Sequence, residues 1–215
     1  MNDHQSDFPE VSIGLPVYNG ELFLKKALDS LLNQTYSNFE LIISDNNSTD
    51  STQKICQEYA KNDKRICYIH QEKNIGAFSN FSFVLTKAKA KYFMWAAVDD
   101  YWDNDFLQKN LDILQMDPNI VCSISKINTY DFTDEELVKY DIKTVNYPKF
   151  LKNFVKTRRK KLITSSFPIS GSYTQKIRLF LKNPGASSRF YGLYRTNQIK
   201  ECYIKKQFIG VEFAI

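Results

Sequence analysis

The sequence predicts an α/β fold, a mostly parallel sheet flanked by helices. Two observations predict it. Between residues 11 and 98, four apolar strand-like runs alternate with three segments of helical periodicity, and the connections are short. The conspicuous polar sets, Asn19, Asp45 to Asn47, Asn74 and Asp99-Asp100, each fall just past a strand. In a parallel sheet those positions share one edge, where open α/β sheets take their ligands.

The elements follow in order. Val11 to Val17 is a short apolar strand with Pro16 marking its end. Glu21 to Asn33 is apolar at 22, 24, 27, 28, 31 and 32, which is helical spacing. Phe39 to Ser44 is a second strand, apolar at 39, 41, 42 and 43. The polar turn Asp45 to Asp50 can cap a helix over Ser51 to Lys61. Ile66 to His70 is the third strand, Asn74-Ile75-Gly76 a turn, Ala77 to Ala90 the third helix and Tyr92 to Val98 the fourth strand. Such β-α-β units cross over right-handedly. Past residue 104 the pattern loosens. Phe106 to Met116 reads as a helix stopping before Pro118, and Ile120 to Ile127 as a strand. Lys149 to Ile163 and Tyr173 to Lys182 read as helices, and Phe190 to Tyr194 as a short strand. The segment from Phe208 to Ile215 begins an element and stops, so the chain reads as a fragment of a longer protein.

Composition narrows the function. The chain has 215 residues with 43% apolar content, enough for one sizeable core or a core with a smaller appendage. The N-terminus lacks a basic stretch followed by an apolar one, and no window approaches the roughly 18 to 20 apolar residues of a membrane span. Cys56, Cys67, Cys122 and Cys202 have no metal-type spacing and read as reduced thiols of a cytoplasmic protein. The net charge of +5 is uneven. Residues 1–104 carry ten Lys/Arg against fourteen Asp/Glu, and residues 105–215 nineteen against ten. The excess centres on Lys149 to Lys161, with seven basic residues and no acid. No nucleic-acid-binding motif accompanies it, so nucleic acid is set aside as a partner. Phe150, Leu151, Phe154 and Val155 recur there at helical spacing. The segment can therefore lie on an anionic membrane surface or meet an anionic acceptor, or it can be a solvated helix.

Asp99-Asp100 is the strongest single signal. Two adjacent carboxylates past a buried strand repel each other and cost desolvation unless a cation compensates them. Mg²⁺ and Mn²⁺ favour oxygen ligands, and Mg²⁺ commonly takes one or two carboxylates with phosphates and water completing the shell. The plain alternative is a solvated turn that ends a strand. Four polar sets at one edge favour a site, although Asx-rich turns are individually ordinary. Neither a Gly-x-Gly-x-x-Gly fingerprint nor a Walker loop is present, which disfavours a dinucleotide or P-loop site. Asp45 can accept from ring N–H groups of a base, Tyr18 offers an aromatic surface, and the acid pair can hold a metal bridging two phosphates. Together they fit a nucleoside diphosphate.

These residues resemble a family 2 glycosyltransferase of the GT-A fold. The resemblance rests on Val11 to Gly20, Ser30 to Tyr36, Phe39 to Asp50, Asn74-Ile75-Gly76 and Asp99-Asp100, and it is strongest over 10–106. It implies sugar transfer with inversion from a nucleotide-sugar donor, UDP by family habit, with Mn²⁺ or Mg²⁺ as cofactor. The acceptor would be a glycan or a lipid-linked glycan, in cell-surface polysaccharide synthesis. On this resemblance Pro16, Tyr18 and Asn19 line the nucleotide pocket, with Asn74 and Gly76 at its third turn, and Asp45 meets the base. Asp100 is the main metal ligand, with Asp99 beside it as ligand or ribose contact. Glu212, in Gly210-Val211-Glu212, resembles the catalytic base, and Tyr191 to Arg195 the segment near the acceptor. The implied division is a tail over 1–8, a nucleotide-sugar-binding half over 9–104 and an acceptor-side half over 105–215. The expected location is cytoplasmic, peripheral at the inner face of the membrane.

Two features depart from the family. Phe78-Ser79-Asn80 holds no Arg or Lys where relatives often carry one, and the chain ends three residues after Glu212. Without the resemblance, Glu212 reads as a surface acid in a helix's first turn. His4 and His70 are poor catalytic candidates, Trp95 reads as core, and Trp102 can stack on a sugar or simply pack. Two other functions remain open: a nucleotide-sugar-binding module or donor half of a larger enzyme, and a nucleotidyltransferase, which normally has an N-terminal Gly-rich loop.

Overall fold

The computed structural model describes residues 8–126 and 191–206, together with Ser172 and Gln175. Glu212, the basic segment 149–161 and the helices expected over 149–163 and 173–182 lie outside the described residues, apart from Gln175. The chain divides into two compact units, Met1–Ile124 with Tyr191–Ile215, and Ser125–Phe190. Every element below belongs to the first.

The strands are β1 (Val11–Val17), β2 (Phe39–Asp45), β3 (Ile66–His70), β4 (Tyr92–Trp95), β5 (Cys122–Ser123) and β6 (Leu193–Arg195). The helices are α1 (Leu24–Leu32), α2 (Thr52–Asn62), α3 (Ala77–Lys87), α4 (Phe106–Met116) and α5 (Thr196–Lys206). The sheet order is β3-β2-β1-β4-β6-β5. The first four strands are mutually parallel, and β6 runs antiparallel to both neighbours. The predicted mostly parallel α/β architecture is thus observed.

Strand β1 is central and completely buried, and its alternation decides what covers each face. Val11, Ile13, Leu15 and Val17 join Leu24, Leu28 and Leu31 of α1 and Leu107, Leu111 and Leu114 of α4 in one core. The other face carries Gly14, where an added Cβ would come within 2.7 Å of the Val84 side chain of α3. A glycine here lets that helix approach the sheet closely.

Several ends differ from the sequence reading, among them those of the third helix (Lys87, not Ala90), of β5 (Cys122–Ser123, not 120–127) and of β6 (Leu193–Arg195, not 190–194), and three differences bear on the site. Helix α1 begins at Leu24 rather than Glu21, because the Phe23 and Leu24 N–H groups both turn back to the Gly20 carbonyl. Strand β4 ends at Trp95, three residues before Val98. Pro16 accounts for this. The Gly14 carbonyl accepts the Ala96 N–H at 2.9 Å, so even-numbered residues of β1 point their backbone groups at β4. The next such donor would be residue 16, and proline has none. The ladder therefore stops, and the chain after Ala96 is released from β1. Thirdly, α5 goes unread in the sequence, since Thr196 to Lys206 has no clear apolar stripe. Arg195 just before it donates to the Leu114, Asp117 and Ile120 carbonyls, closing the C-terminal end of α4.

From β1 the chain steps to β2 and β3 on one side, then crosses back to β4 on the other. The crevice between the C-terminal ends of β1 and β4 is therefore the topological switch point, the preferred ligand position in open α/β sheets.

Candidate active site

The polar sets read from the sequence do gather at this edge. The three residues with positive φ among those described are Asn19 (51°), Asn47 (62°) and Gly76 (84°), one in each of the first three loops. Asparagine and glycine are the residues that tolerate this conformation best. A Cβ at Gly76 would meet nothing within 4 Å, so its backbone angle and not space calls for glycine.

Hydrogen bonds stitch those loops together. The Asn19 N–H donates to Ser48 Oγ and its Oδ1 accepts the Thr49 N–H, both at 2.9 Å. The Gly20 N–H donates to Thr52 Oγ1 at 2.8 Å. Asn46, 2% exposed, donates to Asn74 Oδ1 at 2.9 Å and accepts the Ile75 N–H at 2.8 Å. Asn74 Oδ1 also accepts the Gly76 N–H. Asn19 and Asn74 thus spend their side-chain oxygens on the framework. The sequence reading places Asn46 in the polar set after the second strand without a role of its own, and the structure makes it the brace between the second and third loops.

Asp45 closes the end of β2 and is fully buried. Its Oδ1 accepts the Ser48 N–H at 2.9 Å, and its Oδ2 accepts the Tyr68 hydroxyl at 3.0 Å and meets His70 Nδ1 at 3.3 Å. Burial first, then the Asp45 charge, holds the Tyr68 phenol protonated well above its usual range. Pro16 is buried in β1, whereas Tyr18 is 48% exposed at the mouth of the crevice.

The acid pair is built differently. Asp99 and Asp100 reach solvent in the turn closed by the Asp100 N–H to Ala97 carbonyl bond at 3.3 Å. Protein crowding around Asp100 and then the neighbouring charge of Asp99 push its carboxyl up to about 6. No lysine or arginine among the described residues forms an ion pair with either acid. Continuing the β4–β6 register, Phe93 with Tyr194, sets Tyr191 opposite Ala96. Tyr191 is held protonated by burial, then by the charges of Asp100 and Asp99. The resemblance places Tyr191 in a segment near the acceptor, and the strand topology adds that it neighbours the acid pair. Gly20 lets the first loop close on the same place, since a Cβ there would come within 2.8 Å of Val98.

Among the described residues no group of three or more His, Cys, Asp or Glu could by itself hold a metal. Two adjacent carboxylates with no cationic partner fit a divalent ion shared with a phosphate ligand, which needs only one or two protein oxygens. Strand β1 separates β2 from β4, so Asp45 and the acid pair follow strands two places apart in the sheet. Asn80 fills the position without a cation: it donates to the Ser44 carbonyl and accepts from Ser44 Oγ, tying α3 to β2.

A family profile described as Glycosyl transferase family 2 matches residues 12–182. The chain belongs to this family. Among curated family 2 relatives, glycosyltransferase GlyA of Streptococcus pneumoniae serotype 4 is 33% identical over 134 residues, covering 61% of this chain and 18% of GlyA. The putative teichuronic acid biosynthesis glycosyltransferase TuaG of Bacillus subtilis is 36% identical over 106 residues, covering 49% of this chain and 42% of TuaG. The chain thus spans less than half the length of either relative. The S. aureus TarS 1-349 crystal structure in complex with UDP-GlcNAc superposes with a TM-score of 0.60 at 18% identity, covering 91% of this chain and 48% of that one. The mannosyltransferase PcManGT from Pyrobaculum calidifontis, in complex with GDP-Man and Mn²⁺, gives 0.51 at 22% identity, covering 57% of this chain and 37% of PcManGT. The family 2 chain shares their GT-A-like α/β fold.

Proposed function

We propose that this chain moves a sugar from a nucleoside diphosphate donor, a UDP-sugar, to an acceptor hydroxyl of a glycan or lipid-linked glycan, with inversion and with help from Mn²⁺ or Mg²⁺. The observation that carries the reading is the Asp99-Asp100 pair at the switch-point crevice, without a compensating cation among the described residues. Family membership supports sugar transfer, and the nucleotide-sugar complexes of TarS and PcManGT support the donor class.

Each residue has a physical task in this reading. Tyr18 supplies a face for the base, and Asp45, turned by Tyr68 and His70, addresses the base's ring N–H. Asp100, with Asp99, would hold the metal, which when bound offsets charge on the leaving diphosphate. Glu212 takes the proton from the acceptor hydroxyl. The framework bonds of Asn19, Asn46 and Asn74 keep the base end fixed, so that alignment of donor and acceptor supplies much of the rate. A thermal-shift panel of nucleoside diphosphates and nucleotide sugars, with and without Mn²⁺, tests the reading. Stabilisation by UDP that requires Mn²⁺ is expected, and no shift with any nucleotide overturns it.

The chain's small share of its relatives favours one second reading, the donor half of a larger enzyme. Tight UDP binding without donor hydrolysis or transfer would decide for it. The proposed place of action is the cytoplasmic face of a membrane in polysaccharide synthesis, with residues 149–161 meeting anionic lipid. Co-sedimentation with anionic vesicles that weakens in salt is the expected result.

A further inference from the structure

Among the described residues, the loop carrying the acid pair is fastened chiefly from its downstream side. Upstream, Pro16 has released it from β1. Downstream, Trp102 to Leu107 make five hydrogen bonds to the end of α1 and the residues just beyond it. Gln34, 6% exposed, is the centre of this clamp. Its Nε2 donates to the Asp103 carbonyl at 2.8 Å and the Ser30 carbonyl at 3.1 Å, and its Oε1 accepts the Leu107 N–H at 3.0 Å. That last bond satisfies a first-turn donor of α4, a helix whose own N-cap residue, Asp105, makes no side-chain cap bond. Ser30 Oγ accepts the Trp102 N–H at 3.2 Å, and the Thr35 N–H donates to the Asn104 carbonyl at 2.8 Å.

We infer that Gln34, seconded by Ser30, is the positioning residue of the acid pair and sets the affinity for the divalent ion shared with the nucleoside diphosphate. This rests on the metal-and-donor reading above. The pair sits two residues from the Trp102 N–H, with one turn bond among the described residues, Asp100 to Ala97, on its other side. Mg²⁺ demands near-ideal octahedral geometry at about 2.0–2.1 Å, so a small drift of the loop is felt at the ion. The base end is held by a separate set of bonds, among Asn19, Asp45, Asn46 and Asn74, which does not include Gln34.

The two ends can be measured separately. UDP is titrated into the 215-residue chain in Mn²⁺ and again in EDTA, and the ratio of the two Kd values reports the metal's contribution. Gln34→Glu keeps an acceptor for the Leu107 N–H but sets an oxygen against the Asp103 and Ser30 carbonyls. Ser30→Ala removes only the acceptor for the Trp102 N–H and the short bond to Ala27. The ratio is expected to fall about tenfold in the first variant and about threefold in the second, with the EDTA Kd within about twofold of wild type. Should Gln34→Glu fail to fold, Ser30→Ala decides alone. A wild-type ratio well above one that persists in the variants overturns the clamp alone. So does a parallel weakening of both Kd values, which marks a merely structural role. A wild-type ratio of one overturns the metal reading and the clamp with it.

Discussion

The loops after β1, β2 and β3 and the loop after β4 share one edge of one sheet, yet they treat their polar groups in opposite ways. In the first three, side-chain oxygens are spent on neighbouring backbone: Asn19 on Thr49, Asn46 on Ile75, Asn74 on Gly76. In the fourth, two carboxylates stand side by side, and crowding by the protein, then the charge of Asp99, raises the Asp100 carboxyl. Saturated polar groups describe a surface that is already built. Adjacent like charges describe a different state, one whose repulsion a bound cation or a proton would relieve.

The largest test breaks the open side. Asp100→Ala should abolish the Mn²⁺-dependent part of UDP binding and leave the fold intact; unchanged metal-dependent affinity by calorimetry would show that Asp100 is no ligand. Glu212→Gln keeps the shape and removes the proton acceptor. Transfer should drop by about 10²–10⁴ with donor affinity little changed, and full activity on an accepted substrate rules the assignment out. Asp45→Ala should weaken nucleotide binding by about 1.5–3 kcal/mol, the value of a hydrogen bond to a charged group, with equal affinity for uridine nucleotides as the contrary result. On the built side, Asn46→Ala leaves the Ile75 N–H unmet and should lower folding stability by about 1–3 kcal/mol. Denaturant unfolding with no loss would mean that water replaces the bond without cost.

The pH prediction sharpens the contrast most gently. The Asp100 carboxyl lies at about 6 in the folded chain, above its ordinary value of 3.8. Between those values the folded state holds a proton that the unfolded state has lost, so metal-free stability falls as pH rises through the window. Metal binding must displace that proton. Mn²⁺ affinity should therefore fall about tenfold from pH 7 to pH 5, and Asp100→Asn, which removes the titrating group, should remove the fall in metal-free stability over the window. An identical profile in the variant would assign the proton elsewhere.

Much of this contrast was legible in the chain. Alternating apolar runs gave the parallel strands, and Asp99-Asp100 could be placed by counting along the fourth of them. What the sequence could not show was where the Asx side chains spend their hydrogen bonds. Asn19 and Asn74 have the composition of ligand contacts and the geometry of braces, and the difference lies in which loop each faces. Tyr191 is read by resemblance as near the acceptor, but its place beside the acid pair is not. It reaches the acid pair through an antiparallel pairing across some hundred residues of chain, and no local pattern encodes such a contact. Helix α5 lacks an apolar stripe to announce it, so its start was hidden in the residues after β6.

Strands β5 and β6 are neighbours in the sheet, yet residues 124–192 separate them in the chain. Closing a loop costs free energy that grows only with the logarithm of its length, about 0.6 kcal/mol for each doubling. The excursion could therefore be lengthened, shortened or replaced with little penalty to the sheet that carries the acid pair. Tyr191 stands at the point where the chain re-enters. A sheet connected in this way can carry different excursions between β5 and β6 while the strands that lead to the acid pair stay the same.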